Sequence, residues 1–139
     1  MKYEVDYDGL KEQVDSIRTG ESPEYIYYRD RRYRICPVRD GDTTVPVPFA
    51  RGISHPHGFT VLLNSRFSRN ILGLMALHEV IEIDAHIFQD APTKYAAHRV
   101  AVKFEKRYAE EQDFPQEQKR LRREIYKYHA RKREQSEAA

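Results

Sequence analysis

The sequence predicts an α+β domain: a short sheet packed on a buried helix and a second long helix, followed by a basic C-terminal helix. Three stretches carry that expectation. Residues 70–88 form an almost unbroken apolar run with ionisable residues set into its middle, the pattern of a helix buried on nearly every side. Residues 24–28 and 32–38 are rich in tyrosine, isoleucine and valine around a polar Asp30-Arg31, as in a β-hairpin. Residues 91–112 have helical spacing, with alanines on one face and an opening in which Asp90 caps and Pro92 occupies the first turn.

In chain order, residues 8–18 read as a short helix capped by Asp6 or Asp8, with Leu10, Val14 and Ile17 as its apolar stripe and Gly20 as its stop. In the second arm of the hairpin, Tyr33 and Ile35 face one way and Arg32 and Arg34 the other, so one face is wet. Tyrosines interleaved with arginines can stack on bases, but amphipathic strands carry the same composition. Residues 39–58 read as a long loop by their Asp-Gly-Asp, Val-Pro-Val-Pro, Arg-Gly and His-Pro-His-Gly punctuation. Within it His55 and His57, two apart on an extended segment, are either surface residues or a pair that reaches a cation or a substrate. Residues 59–64, Phe-Thr-Val-Leu-Leu-Asn, are the clearest strand, expected at the sheet edge beside the buried helix, and Ser68 is the expected cap of that helix. Phe114-Pro115 ends the second long helix. The remainder is basic, with Leu121, Ile125 and Tyr128 as a thin apolar stripe that lies on the body or on a partner.

A chain of 139 residues suits one domain, expected over residues 1–114, with residues 115–139 as a basic helical extension. The net charge of only +2 argues against a general polyanion-binding protein and confines any basic surface to a local patch, such as this extension. That extension is a solvated helix or an anchor for nucleic acid or an acidic partner. Cys36 is the sole cysteine, which excludes an internal disulfide. With no apolar leader and no run of eighteen apolar residues, the expectation is a cytoplasmic protein without a membrane anchor.

The chemistry concentrates in the buried helix. His78, Glu79 and Glu82 spell HExxE, and on a helix His78 and Glu82 project to one side while Glu79 stands about 100° round. Burying these groups without partners costs several kcal/mol, and one divalent cation satisfies two of them together. The plainer alternative is a core helix with ordinary salt bridges. On the following helix His98 shares a face with Ala97, Ala101, Val102 and Glu105, and a short connection makes the two helices antiparallel neighbours. His78, Glu82 and His98 then give two imidazoles and one carboxylate, the composition of a catalytic zinc site with a fourth position for water. Glu105 is a further ligand or the group that orients a ligand imidazole, and His86, one turn beyond Glu82, competes as third ligand.

Val-Leu-Leu-Asn, then Ser-Arg-Phe-Ser-Arg-Asn, then Leu-Met-Ala-Leu-His-Glu-Val-Ile-Glu resembles the strand, turn and active-site helix of small zincin-like metallopeptidases of the ImmA/IrrE type. It looks still more like small phage-associated proteins that carry HExxE and a downstream His with a following Glu. The resemblance spans residues 59–105. It implies His78 as first ligand, Glu79 as general base and Glu82 as the ligand replacing the second histidine. It also implies a zinc-dependent peptidase acting on a peptide or protein substrate. Carboxylate in the shell leaves other divalent transition metals open. Two rival expectations stand beside this one: a metal-stabilised binding or regulatory protein acting through its basic tail, and a metal-free helical protein in which His98 and Glu105 neutralise the buried carboxylates.

Overall fold

The computed structural model describes residues 2–138. Helix α1, Tyr7–Arg18, starts at Asp6, whose carboxylate accepts a hydrogen bond from the Gly9 amide at 3.2 Å. Its Leu10, Val14 and Ile17 are buried, as the stripe requires. Strands β1, Tyr25–Tyr28, and β2, Arg31–Val38, pair antiparallel through a turn at Arg29 and Asp30, both with positive φ. Tyr33 and Ile35 point into the core, and Arg32 and Arg34 point into solvent.

The next segment departs from expectation. Only its first part, residues 39–49, is irregular; Ala50–His55 forms strand β3, which pairs antiparallel with β4, Gly58–Asn64. The sheet order is β1-β2-β4-β3, with β2 and β4 parallel in the register Tyr33↔Phe59 to Val38↔Asn64. The strand at 59–64 is therefore interior, not the edge, and β3 is the edge. Both faces of β4 are covered, which explains its continuous apolar run. Val61 and Leu63 join the main core, while Leu62 packs with Val38 and Val47 beneath the 39–49 loop. Asn64 holds that loop down, donating to the Val47 carbonyl at 2.9 Å and the Asp40 carboxylate at 3.0 Å.

Helix α2, Arg69–Ile83, is capped by Ser68 and packs its Ile71, Leu74, Leu77, Val80 and Ile81 into the core against α1 and the sheet. A side chain at Gly73 would meet Arg18 at 2.9 Å and Val14 at 3.2 Å, so its absence lets α1 lie close. The predicted continuous helix to Phe88 instead widens into a π-helical turn, Asp84–Phe88. Asp84 is buried there, accepting from Arg29 at 2.7 Å and Gln89 at 2.6 Å, and so fastens the end of α2 to the β1–β2 turn.

Helix α3, Lys94–Glu111, begins three residues later than the sequence suggested and takes Thr93, not Asp90, as its cap. The π turn extends the connection: the Gln89 amide reaches back to Asp84, the Ala91 amide to Ala85, and Asp90 is left-handed, leaving Pro92 ahead of the helix. Buried Ala97 and Ala101 let α3 lie close to α2. Helix α4, Pro115–Ala138, opens after left-handed Asp113. As far as Tyr128 it is tied to the body. Leu121 and Gln118 are buried, Glu117 accepts from Ser68 and Asn70, and Tyr128 meets Phe49 edge-on at 5.6 Å. Among the described residues no helix is long and apolar enough to cross a membrane.

Candidate metal centre

Residues four apart on α2 place His78 and Glu82 on the flank that meets α3, with His78 Nε2 and Glu82 Oε2 2.7 Å apart. His98 approaches from α3, its Nδ1 3.4 Å from the same Glu82 oxygen and its ring centroid 4.9 Å from that of His78. His78 pairs with Glu105 while Glu82 pairs with His98, so the two helices run antiparallel through the site. One ligand atom from each of His78, Glu82 and His98 lies within 4.8 Å of the others. A tetrahedral zinc with bonds near 2.0–2.1 Å separates two of its ligand atoms by about 3.4 Å. The His98–Glu82 separation already has that value, and His78–Glu82 needs to open by roughly 0.7 Å from its 2.7 Å.

Behind His78 stands Glu105, fully buried. Its Oε1 lies 3.0 Å from His78 Nδ1, and its Oε2 accepts from Gln118 Nε2 at 2.9 Å and pairs with Arg122 Nε at 2.9 Å. Both oxygens are thereby engaged away from the cluster. A carboxylate on Nδ1 keeps the proton there and aims the Nε2 lone pair at an incoming cation. Burial works to raise the Glu105 carboxyl, but the His78 hydrogen bond, the charges of His78 and Arg122 and the Gln118 contact hold it below its ordinary value. Burial likewise works to lower the His78 imidazole. Its hydrogen bonds to Glu105 and Glu82 prevail and carry it up to about 9, so the metal-free site is held by an imidazolium between two carboxylates. For Glu82, burial works upward but is outweighed by hydrogen bonds from His78 and His98, which bring it down to about 2.

Glu79 differs from both. Burial pushes its carboxyl above the ordinary value, and it has no side-chain hydrogen bond to a described residue. It lies along a cleft of about 730 Å³ that the His78, Glu82 and His98 group shares with β3, α3 and α4. Gly52 of β3 lies against it: a Cβ there would crowd Ile83 Cδ1 at 2.7 Å and reach ordinary contact with Glu79 Oε2 at 3.6 Å. The edge strand therefore passes directly over the HExxE turn with its outer side unpaired.

The remaining candidates fall outside the cluster. His86 is exposed on the cleft wall, in the π turn, and the change of helical pitch there carries it off the ligand face. His55 and His57 sit at the β3–β4 turn, where His55 bonds Thr60 at 3.1 Å and neither histidine lines the cleft. Gln118, Arg122 and Gly52 were missed by sequence reasoning. Gln118 and Arg122 do sit at three- and four-residue spacing beside Leu121 and Ile125, a signal that this flank of α4 is buried. No family model, curated protein or solved structure matches this chain.

Proposed function

We propose that this protein is a metal-dependent hydrolase, most plainly a zincin-like peptidase of the kind its HExxE segment resembles. The observation that carries the reading is the joint placement of His78, Glu82 and His98 within bonding reach of one cation, backed by Glu105, with Glu79 left unpaired beside them in an open cleft. Two imidazoles and one carboxylate suit zinc, with manganese, iron or nickel as competitors. The chemistry such an ion supplies is Lewis acidity, which acidifies water and polarises a scissile carbonyl.

The chain's own residues do the rest. Glu79, raised by burial, is the proton acceptor for the attacking water and later the donor to the leaving amine. The free side of β3 offers main-chain hydrogen bonds to an extended peptide, aligned across the HExxE turn. The His98 side chain is 37% exposed, which leaves the cluster open towards the cleft. A purely structural site would be closed, so this opening favours hydrolysis over the regulatory alternative. Cys36, the single free thiol, fits a reducing compartment, and we assign the activity to the cytoplasm.

The test is elemental analysis of chelator-stripped, zinc-reloaded protein beside peptide-library digestion read by mass spectrometry. Wild type is expected to hold about one equivalent of zinc and His98→Ala to lose it. Glu79→Gln is expected to keep the metal and lose roughly 10²- to 10⁴-fold in turnover. A wild type that takes up no metal, or a Glu79→Gln variant as active as wild type, would end this reading.

A further inference from the structure

A second groove of about 740 Å³ lies between α3 and α4 and opens off the metal cleft: Tyr95, His98, Arg122, Ile125 and His129 line both. Its charge is one-sided. Arg99, Lys103, Arg122 and Arg133 line it, and no acidic residue does among those described. Arg99, Lys103 and Arg133 are exposed and form no ion pair with a described residue, although the whole chain carries a net charge of only +2. The floor is apolar, built from half-buried Val102 and Ile125. Tyr95 and Tyr126 stand over it at 69% and 70% exposure, large rings that fold stability does not require to be there.

Resting on the hydrolase reading above, we propose that the groove is an extended subsite for acidic polypeptide. The substrate strand runs along β3, passes His98 and continues between α3 and α4, with an apolar side chain on Val102 and Ile125 and flanking glutamates or aspartates on Arg99, Lys103 and Arg133. Arg122 is committed to Glu105, but Arg99, Lys103 and Arg133 share one concavity with no carboxylate partner among the described residues, and such a set selects negative charge and speeds its capture. Exposed tyrosines supply contact area at low entropic cost. Single-stranded nucleic acid would also meet cations and aromatic rings here. A peptide is favoured because the groove is continuous with a free strand edge, whose alternating N–H and C=O groups form a ladder with a polypeptide, whereas a sugar-phosphate chain carries no donors to meet the carbonyls in that register.

The test measures binding apart from turnover. Fluorescence anisotropy is recorded for a labelled peptide of alternating glutamate and leucine, for its glutamine and lysine counterparts, and for an oligothymidylate. The protein is the full-length Glu79→Gln variant, zinc-loaded and again after chelation. The acidic peptide should bind about tenfold or more tightly than the glutamine peptide, and the difference should shrink with added salt. The combined variant Arg99→Gln, Lys103→Gln, Arg133→Gln should abolish that preference while its metal content stays that of the parent. Equal binding of acidic and glutamine peptides, a preference that survives the triple change, or tighter binding of oligothymidylate would each overturn the proposal. Should the chain bind no metal or cleave no peptide, the hydrolase reading fails. The acidic preference of the chelated protein still decides what the groove binds.

Discussion

Glu105 shows how much one side chain governs here. It lies outside the group that could hold a metal, yet it holds the His78 Nδ1 proton, and Gln118 and Arg122 hold Glu105 in turn. Glu105→Gln keeps the shape and removes the charge that would make His78 a strong ligand, so at the proposed site metal affinity should fall roughly 10- to 100-fold. Competition with a chromogenic chelator measures this, and an unchanged dissociation constant would reduce Glu105 to packing. At this scale much was legible in the sequence. The i, i+4 relation of His78 to Glu82 is fixed by helix pitch alone, and His98 stood out because an imidazole among alanines faces a neighbouring helix. The two roles left open for Glu105 could not be separated by spacing, because ligand and ligand support lie on the same face of α3. The supports themselves were hidden, since a glutamine and an arginine in a helix crowded with charge look solvated until their burial is known.

Strand β3 carries the corresponding lesson for elements. Residues 51–55 are all exposed, so they bury no alternating face and give no period-two pattern. What makes them a strand is the hydrogen-bond ladder to β4, which composition does not encode, while the glycine and prolines around them mimic a loop. Gly52 marks the place where that strand crosses α2. Gly52→Val drives two methyl groups towards Ile83, already 2.7 Å from the first added carbon, and should cost about 1 to 3 kcal/mol as overpacking or lift β3 from the helix. Urea denaturation reads the first effect. Amide exchange of residues 50–55 reads the second, and a variant with wild-type stability and exchange would show that this approach is looser than drawn. The π turn was equally unreadable, because Asp84 at its start is fastened to the β1–β2 turn by a contact between residues far apart in sequence.

For the molecule as a whole, a site held by an imidazolium between carboxylates makes stability depend on pH. The folded His78 value of about 9 lies above its ordinary 6.5, so its contribution to the metal-free protein is complete below 6.5 and is lost as pH rises through 9. Glu82, at about 2 against an ordinary 4.5, contributes above 4.5 and loses that contribution as pH falls through 2. Urea midpoints in chelator should therefore decline on the alkaline side between about pH 7 and 10. Zinc binding should release protons over the same range, because the metal displaces the His78 proton. A flat alkaline limb would mean that the imidazole is neutral in the fold. The overall α+β architecture was legible because hydrophobic periodicity reports it, whereas strand order was not, because the β2–β4 pairing is parallel and skips β3. There is also a consequence in time. Translation delivers α2 and α3 before α4, at about 5–20 residues per second, so Glu105 emerges ahead of Gln118 and Arg122. In a nascent chain that far along, Glu105 can already meet His78, but its second oxygen still lacks the partners that Gln118 and Arg122 bring from α4. The arrangement behind His78 is therefore complete only once α4 has been made, so the last helix of the chain finishes a site whose other residues lie on α2 and α3.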